Sequence, residues 1–195
     1  MKKIRINTKY ENLYPKNPKT GNRVIEVVLE DYMDFFHEWD NATFRKRDMH
    51  PELAEFLDRC SEDVPIKDKL EINFCVKHQN QDVEKEKIII GSYKNYYAFY
   101  NRMKERKIKG HIMKAIILVL ISLTIIFSYE VLVDKLTETV WHSLFLEGLI
   151  IGGWVFMWEA LHVISFQVYE HVKRNNEIKR LLRAPISFAY KNCEI

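Results

Sequence analysis

Two long, almost uncharged apolar stretches in the second half of the chain constrain this protein more than any other feature. The first, Ile112 to Val133, carries ionised side chains only near its ends, at Lys114 and Glu130. A helix rises 1.5 Å per residue, so about 20 apolar residues cross a hydrocarbon core of roughly 30 Å. The second, Val140 to Phe166, is longer than this minimum. The sequence therefore predicts two transmembrane helices that form a hairpin over residues 111–167.

Basic side chains flank the predicted hairpin on both sides, which predicts its orientation. They are Arg102, Lys104, Arg106, Lys107, Lys109 and Lys114 before it, and His171, Lys173, Arg174, Lys179, Arg180 and Arg183 after it. Because cytoplasmic flanks carry the excess of Lys and Arg, both termini are expected in the cytoplasm and only the turn at 134–140 outside. Such basic flanks also suit anionic lipid headgroups, so the lipid bilayer is an expected partner.

The first hundred residues predict a small cytosolic domain. No apolar signal-peptide core follows the basic N-terminus before Pro15, so this part is expected to stay in the cytosol. Alternating apolar residues predict strands at 23–30 and 70–77, with a helix beginning at Pro51 between them and another over 87–109. The fold class is therefore α+β, strand-helix-strand-helix followed by the hairpin. The predicted divisions are a 1–22 N-terminal arm, a 23–110 domain, the 111–167 hairpin and a 168–195 basic cytosolic segment.

Helical periodicity predicts which faces of the two helices are buried. In the first, Leu53, Phe56, Leu57 and Cys60 follow an i, i+3, i+4, i+7 pattern. In the second, the apolar stripe is Ile89, Tyr93, Tyr96, Tyr100 and Met103. Both stripes are expected to cover the small sheet.

Composition and motifs exclude several classes of function. The 30 Lys and Arg residues nearly balance the 27 Asp and Glu residues, unlike the concentrated basic surface of a nucleic-acid-binding protein. The three cysteines, Cys60, Cys75 and Cys193, form no even set and no CxxC pair, which supports neither a disulfide framework nor a metal site. No HExxH motif, nucleophile with a base, or Gly-rich phosphate loop is present. We therefore predict no enzyme and no cofactor.

Glu147 is the most informative polar residue of the predicted spans. A charged side chain in hydrocarbon costs at least about 2.5–3.5 kcal/mol unless it is paired, neutralised or hydrated. Glu130 lies about one turn from the outer end of the first span, so an oligomer could gather both carboxylates into a cation-binding ring. The alternative is that Glu147 is protonated or hydrogen-bonded to Thr124 or Ser128 of the neighbouring helix.

Small and aromatic residues follow Glu147 on the second span. Gly148 and Gly152 form a GxxxG spacing, with Gly153 beside it, that permits close approach of another helix. Trp154 and Trp158 share a face with Glu147 and would line a pore or groove, or serve as packing and interfacial aromatics.

Two further groups of charged residues have a functional and a simpler interpretation. Glu159 and His162, three residues apart, would form a proton relay or a local ion pair. In the loop before the Pro51 helix, the charged side chains Asp40, Arg45, Arg47 and Asp48 would bind a partner, although loops are ordinarily polar.

The chain resembles an uncharacterised family of small bacterial two-span membrane proteins over about residues 31–190. The segments that carry the resemblance are Arg47-Asp48, Glu55-Phe56-Leu57, Asp63-Val64-Pro65, Leu70-Glu71-Ile72, Glu147-Gly148-Leu149, Gly153-Trp154-Val155 and Trp158. After that last tryptophan the family has a basic residue and a proline, whereas this chain has Glu159 and Ala160. The resemblance implies the two-span architecture and the bacterial inner membrane, and no known activity.

Two classes of function follow from the sequence. The first is a membrane-anchored interaction or sensor module, or a subunit of an oligomeric membrane complex. The alternative is a small oligomeric ion channel with Glu147 along its pathway. A homo-oligomer is expected in either case, because two spans alone cannot shield Glu147 from lipid.

Overall fold

The chain forms two compact units that divide the sequence unevenly. The computed structural model describes residues 10–36, 48–77, 80–133 and 140–190. The first unit, here the sheet unit, contains residues 1–102 and 175–195, and the second, the hairpin unit, contains residues 103–174. The predicted mixture of helices and strands with two long apolar helices is confirmed.

The sheet unit is built on three parallel strands in the order β1-β2-β3. They are β1 (Arg23–Leu29), β2 (Leu70–Val76) and β3 (Ile186–Tyr190). The alternation predicted for the first two strands is confirmed, since Ile25, Ile72 and Phe74 lie in the buried core. One face of the sheet therefore supports the main hydrophobic core.

The helices supply the crossovers that parallel strands require. They are α1 (Tyr10–Leu13), a 3₁₀ turn (Tyr32–Phe35), α2 (Pro51–Asp63), α3 (Val83–Val133), α4 (Val140–His162), a π-helical segment (Val163–Val168) and α5 (Tyr169–Arg183). The His50 side chain caps α2 by accepting a hydrogen bond from the Glu52 amide, and Pro51 occupies the first turn as predicted. The connection from β2 to β3 contains the whole hairpin unit, which is an insertion into one crossover of the sheet unit.

The C-terminal region differs from the separate basic segment predicted over 168–195. Residues from Asn175 onward belong to the sheet unit, where Ile178 and Leu181 of α5 are each only 1% exposed. The Tyr93 hydroxyl donates a buried 2.9 Å hydrogen bond to the Leu181 carbonyl. β3 then pairs with β2 in the register Ile72 to Ile186. The prediction failed because a five-residue strand has no local signal for a partner that precedes it by more than half of the chain.

The described part of the predicted N-terminal arm, residues 10–22, also packs onto the sheet unit. The Asn17 amide and the Thr20 hydroxyl both donate 3.0 Å hydrogen bonds to the Glu71 carboxylate. Gly21 adopts a φ of 72°, which glycine tolerates without strain, and the turn leads into Arg23 at the start of β1. Residues 1–9 lie outside the described residues, so the short strand considered there is not assessed.

The helical stripes are rotated slightly from their predicted positions. On α2 the buried residues are Ala54, Leu57, Cys60 and Ser61, whereas Phe56 is 46% exposed. On α3 the buried line is Ile89, Tyr93 and Tyr97, which follow i, i+4, i+8, whereas Met103 is 42% exposed. Periodicity favoured the larger apolar side chains, but the sheet accepts the smaller Ala54 at the closest approach.

The helix and the span that were predicted separately over 87–109 and 112–133 form one continuous helix, α3. Only 6% of its most apolar 18-residue window is buried, and the corresponding share is 17% in the helical run Val140–Arg183. Both runs are long and apolar enough to cross a membrane.

Two cysteines of the sheet unit lie in the described region. Cys60 of α2 is a buried free thiol. Burial raises the pKa of this thiol, against a smaller opposing effect of its hydrogen bond with Tyr14. Cys75 of β2 is disulfide-bonded, a pairing that the odd cysteine count did not predict.

Candidate functional site

The predicted site residues on α4 lie on its exposed surface. Glu147 and Gly148 are exposed, and Trp154 and Trp158 are 55% and 66% exposed. Within the part of the chain that the structure describes, Glu147 has no hydrogen-bond or ion-pair partner. On α3, Glu130 is likewise exposed. These residues are therefore available to a neighbour outside the single chain, in lipid or in another subunit.

The contact between the two long helices is made by a different set of small residues. The fully buried Ser122 hydroxyl donates a 2.7 Å hydrogen bond to the carbonyl of Gly153. A Cβ atom at Gly153 would lie 2.7 Å from Cγ1 of Ile126, whereas one at Gly148 or Gly152 would meet nothing within 4 Å. Gly153 thus serves the packing of α3 against α4, and the GxxxG pair does not.

The proposed polar partners of Glu147 are engaged elsewhere. The hydroxyls of Thr124 and Ser128 donate 2.8 Å hydrogen bonds to the carbonyls of Leu120 and Thr124, one turn earlier in their own helix. Such back-bonding satisfies a hydroxyl in an apolar setting without a neighbouring helix. The hydrogen bonding expected from Thr124 and Ser128 is therefore absent from the described structure.

Glu159 does not form the local pair predicted with His162. Its carboxylate lies 3.4 Å from Nζ of Lys114, so the ion pair joins α4 to α3. The His162 ring instead lies 5.1 Å from the ring of Phe166, centroid to centroid. The prediction was wrong because it considered only neighbours along one helix, whereas the hairpin brings a cation from the other.

The charged loop before α2 is largely outside the described residues. Asp40, Arg45 and Arg47 fall in the 37–47 gap, and Asp48 is exposed just before the buried Met49. Its role as a partner-binding loop stays a prediction.

The sheet unit contains a cleft that the sequence analysis missed. Its volume is about 470 Å³, and it is lined by Asn22, Ile66, Asp68, Lys69, Leu70, Asn176, Lys179, Arg180, Arg183 and Pro185. Asn22, Lys69 and Pro185 directly precede the three strands, so the cleft lies at the amino ends of the sheet. Asn176, Lys179, Arg180 and Arg183 follow i, i+3, i+4, i+7 and therefore share one face of α5.

Arg180 forms one wall of this cleft and ties α5 to the end of α2. Its guanidinium donates hydrogen bonds to the carbonyls of Val64 at 3.0 Å, Pro65 at 2.7 Å and Asp68 at 3.3 Å, and also to the Ser61 carbonyl. These carbonyls lie at and beyond the C-terminal end of α2, where the helix dipole favours a cation. Burial lowers the pKa of the Arg180 guanidinium, while nearby Glu177 and Asp68 oppose this shift.

A second arginine fixes the acidic residue of the cleft. Arg23 is only 6% exposed, and its Nε lies 3.5 Å from Oδ2 of Asp68. Another nitrogen of the same guanidinium donates a 2.9 Å hydrogen bond to the Tyr14 carbonyl. Asp68 is therefore paired from inside the fold.

The sequence analysis had interpreted Lys179, Arg180 and Arg183 only as residues that orient the spans. Their shared helical face was a readable signal for a common surface, but the strand ends that complete the cleft could not be identified without β3. Among the described residues, no cluster of three or more His, Cys, Asp or Glu side chains suits a metal ion.

Comparisons with protein-family models, curated proteins and solved structures found no match to this chain.

Proposed function

We propose that this protein is an integral membrane protein in which the hairpin unit anchors a cytoplasmic sensor or interaction module, the sheet unit. The observation that carries this proposal is the exposure of the two apolar helices. A core helix of a soluble protein buries its apolar residues, whereas only 6% of the most apolar window of α3 is buried. A bilayer is the surrounding that removes this surface from water.

The proposed compartment is the bacterial inner membrane, with both termini in the cytoplasm. The basic residues from Arg102 to Lys114 and the pair Lys173 and Arg174 support this orientation by the positive-inside rule. The resemblance to small bacterial two-span proteins supports the bacterial assignment.

The proposed assembly is a homo-oligomer or a larger membrane complex. Glu147 is exposed on α4 without a partner in the described chain, at a position where exposure to lipid is costly. Gly148 and Gly152 leave open space beside their backbone. A second copy packed on this face would shield the carboxylate and use both glycines.

The alternative function is an ion-conducting oligomer, which the exposure of Glu147 favours specifically. In that assembly Glu147 would face a hydrated pathway rather than a packed interface. Trp154 and Trp158, which are also exposed, would line the same path.

A flotation and sizing experiment tests the leading proposal. Expressed in bacteria, the protein should float with membranes after alkaline carbonate extraction and should exceed the monomer mass in a mild detergent. Release into the soluble fraction would contradict the membrane anchor, and a strict monomer would contradict the assembly. Cation flux in liposomes that Glu147→Gln abolishes would favour the channel instead.

A further inference from the structure

We infer that the cleft at the amino ends of the sheet is a binding site for a phosphate group, with Lys69 and Arg183 as its principal cations. This goes beyond the proposed function, because the site lies wholly within the sheet unit and its argument uses no residue of the hairpin unit. The inference rests on the charge of the cleft, on how that charge is already engaged, and on its size.

The charge of the cleft is unusually concentrated. Its lining contains four cations, Lys69, Lys179, Arg180 and Arg183, and one carboxylate, Asp68, so the formal sum is 4 − 1 = +3. The whole 195-residue chain also has a formal net charge of +3. Outside this cleft, acidic and basic side chains therefore balance, and an anion is attracted to this one region.

The internal contacts show which of these charges remain for a ligand. Arg180 is occupied by the carbonyls beyond α2, and Asp68 is paired with Arg23. Lys69 and Arg183 are exposed and approach the cleft from two elements, the start of β2 and the last turn of α5. Two cations converging from separate elements form a clamp for an anion.

The uncharged lining favours a phosphate group over a simple halide. Asn22 and Asn176 add amide donors, and the arginine fork matches the paired oxygens of a phosphate. Ile66, Leu70 and Pro185 give the cleft an apolar side that suits the organic part of a phosphate ester. At about 470 Å³ the cleft falls within the roughly 300–1,000 Å³ typical of small-molecule sites.

Two sources can supply this chemistry, a soluble phosphate ester or the headgroup of a phospholipid. The experiment separates them with three probes titrated into the full chain in nonionic detergent and measured by calorimetry. The probes are inorganic phosphate, adenosine monophosphate and short-chain phosphatidylglycerol. Tighter binding of the nucleotide identifies a soluble ligand, and tighter binding of the lipid identifies a headgroup site.

The test compares two double variants that remove the same charge. Lys69→Gln with Arg183→Gln neutralises the clamp, whereas Lys77→Gln with Lys94→Gln removes two exposed lysines of the same unit that do not line the cleft. The clamp variant should weaken the best probe at least about tenfold, since charge-assisted contacts dominate such sites, while the control variant changes it less than about twofold. Circular dichroism verifies that both variants fold.

Failure to bind all three probes would overturn the inference. Equal weakening by the two double variants would also overturn it, because binding would then reflect only the general charge of the unit. Since the titration is made in detergent, the result does not depend on membrane orientation, and flotation can fail or succeed separately.

Discussion

The two units place similar apolar side chains in opposite surroundings. In the sheet unit, Leu57, Ile72 and Phe74 are 0% exposed. In the hairpin unit, Leu120, Phe127 and Ile151 are 58%, 70% and 62% exposed. Water cannot be the solvent for both surfaces, because exposure of contiguous apolar patches to water is costly. The comparison indicates that each unit is stabilised by a different mechanism, burial of apolar area in one and interhelical packing within lipid in the other.

The largest expected effect concerns Arg180, which joins α5 to the end of α2 in the sheet unit. Arg180→Ala should destabilise this unit by roughly 2–4 kcal/mol, because several carbonyls that accept its hydrogen bonds would lose their donor. Hydrogen exchange of the α2 and β2 amides measures this change. The exposed Arg183→Ala is the matched control and should shift stability by less than about 0.5 kcal/mol. Equal protection in both variants would show that the Arg180 contacts do not stabilise the unit.

A second prediction separates packing within the hairpin from packing between chains. Gly153→Leu should force α3 and α4 apart at a cost of about 1–3 kcal/mol, because its side chain would overlap Ile126. Gly152→Leu meets no atom of its own chain and should instead reduce assembly. The distance between spin labels on the two helices reports the first effect, and mass in mild detergent reports the second. The reverse pattern would assign the two glycines wrongly.

Ser122 tests the one polar contact found in the helix seam. Ser122→Ala should weaken the hairpin by about 0.6–2 kcal/mol, because it removes the hydrogen bond to Gly153. Thr124→Val is the control, since the Thr124 hydroxyl bonds only within its own helix. Both are compared by steric trapping of the unfolded hairpin in bicelles. If the control loses as much stability as Ser122→Ala, the interhelical bond contributes nothing specific.

The smallest expected effect is that of Glu147→Gln on assembly. In a packed interface with a protonated carboxyl, glutamine keeps the hydrogen bonding and should change the dimerisation free energy by less than about 0.5 kcal/mol, whereas Glu147→Leu should cost about 0.6–2 kcal/mol. Fluorescence energy transfer between labelled copies in liposomes measures both. Normal assembly of both variants would mean that Glu147 is only tolerated on the exposed face of α4.

Local patterns predicted much of the fold, and contacts distant in sequence determined the rest. The alternation of Leu70, Ile72 and Phe74 and the proline at the start of α2 were sufficient to predict those elements. Arg180 could not be assigned to α2 from sequence, because its partners lie more than a hundred residues earlier. The ion pair between Lys114 and Glu159 likewise depends on how the hairpin closes. The cleft was missed for the same reason, since it requires β3 beside β2.

The central claim, that the hairpin unit spans a membrane with the sheet unit in the cytoplasm, has one observation against its orientation. Cys75 is disulfide-bonded, and disulfides are rare in a reducing cytosol. A direct measurement of sidedness is therefore the most demanding test of the account.

That measurement is cysteine labelling in intact cells with a membrane-impermeant maleimide, in a background where the three native cysteines are replaced by alanine. Lys94, exposed on α3 within the sheet unit, and Val140, 73% exposed at the start of α4, are each replaced by cysteine. The account predicts that Val140→Cys is labelled in intact cells and that Lys94→Cys is labelled only after permeabilisation. Labelling of Lys94→Cys in intact cells would contradict it.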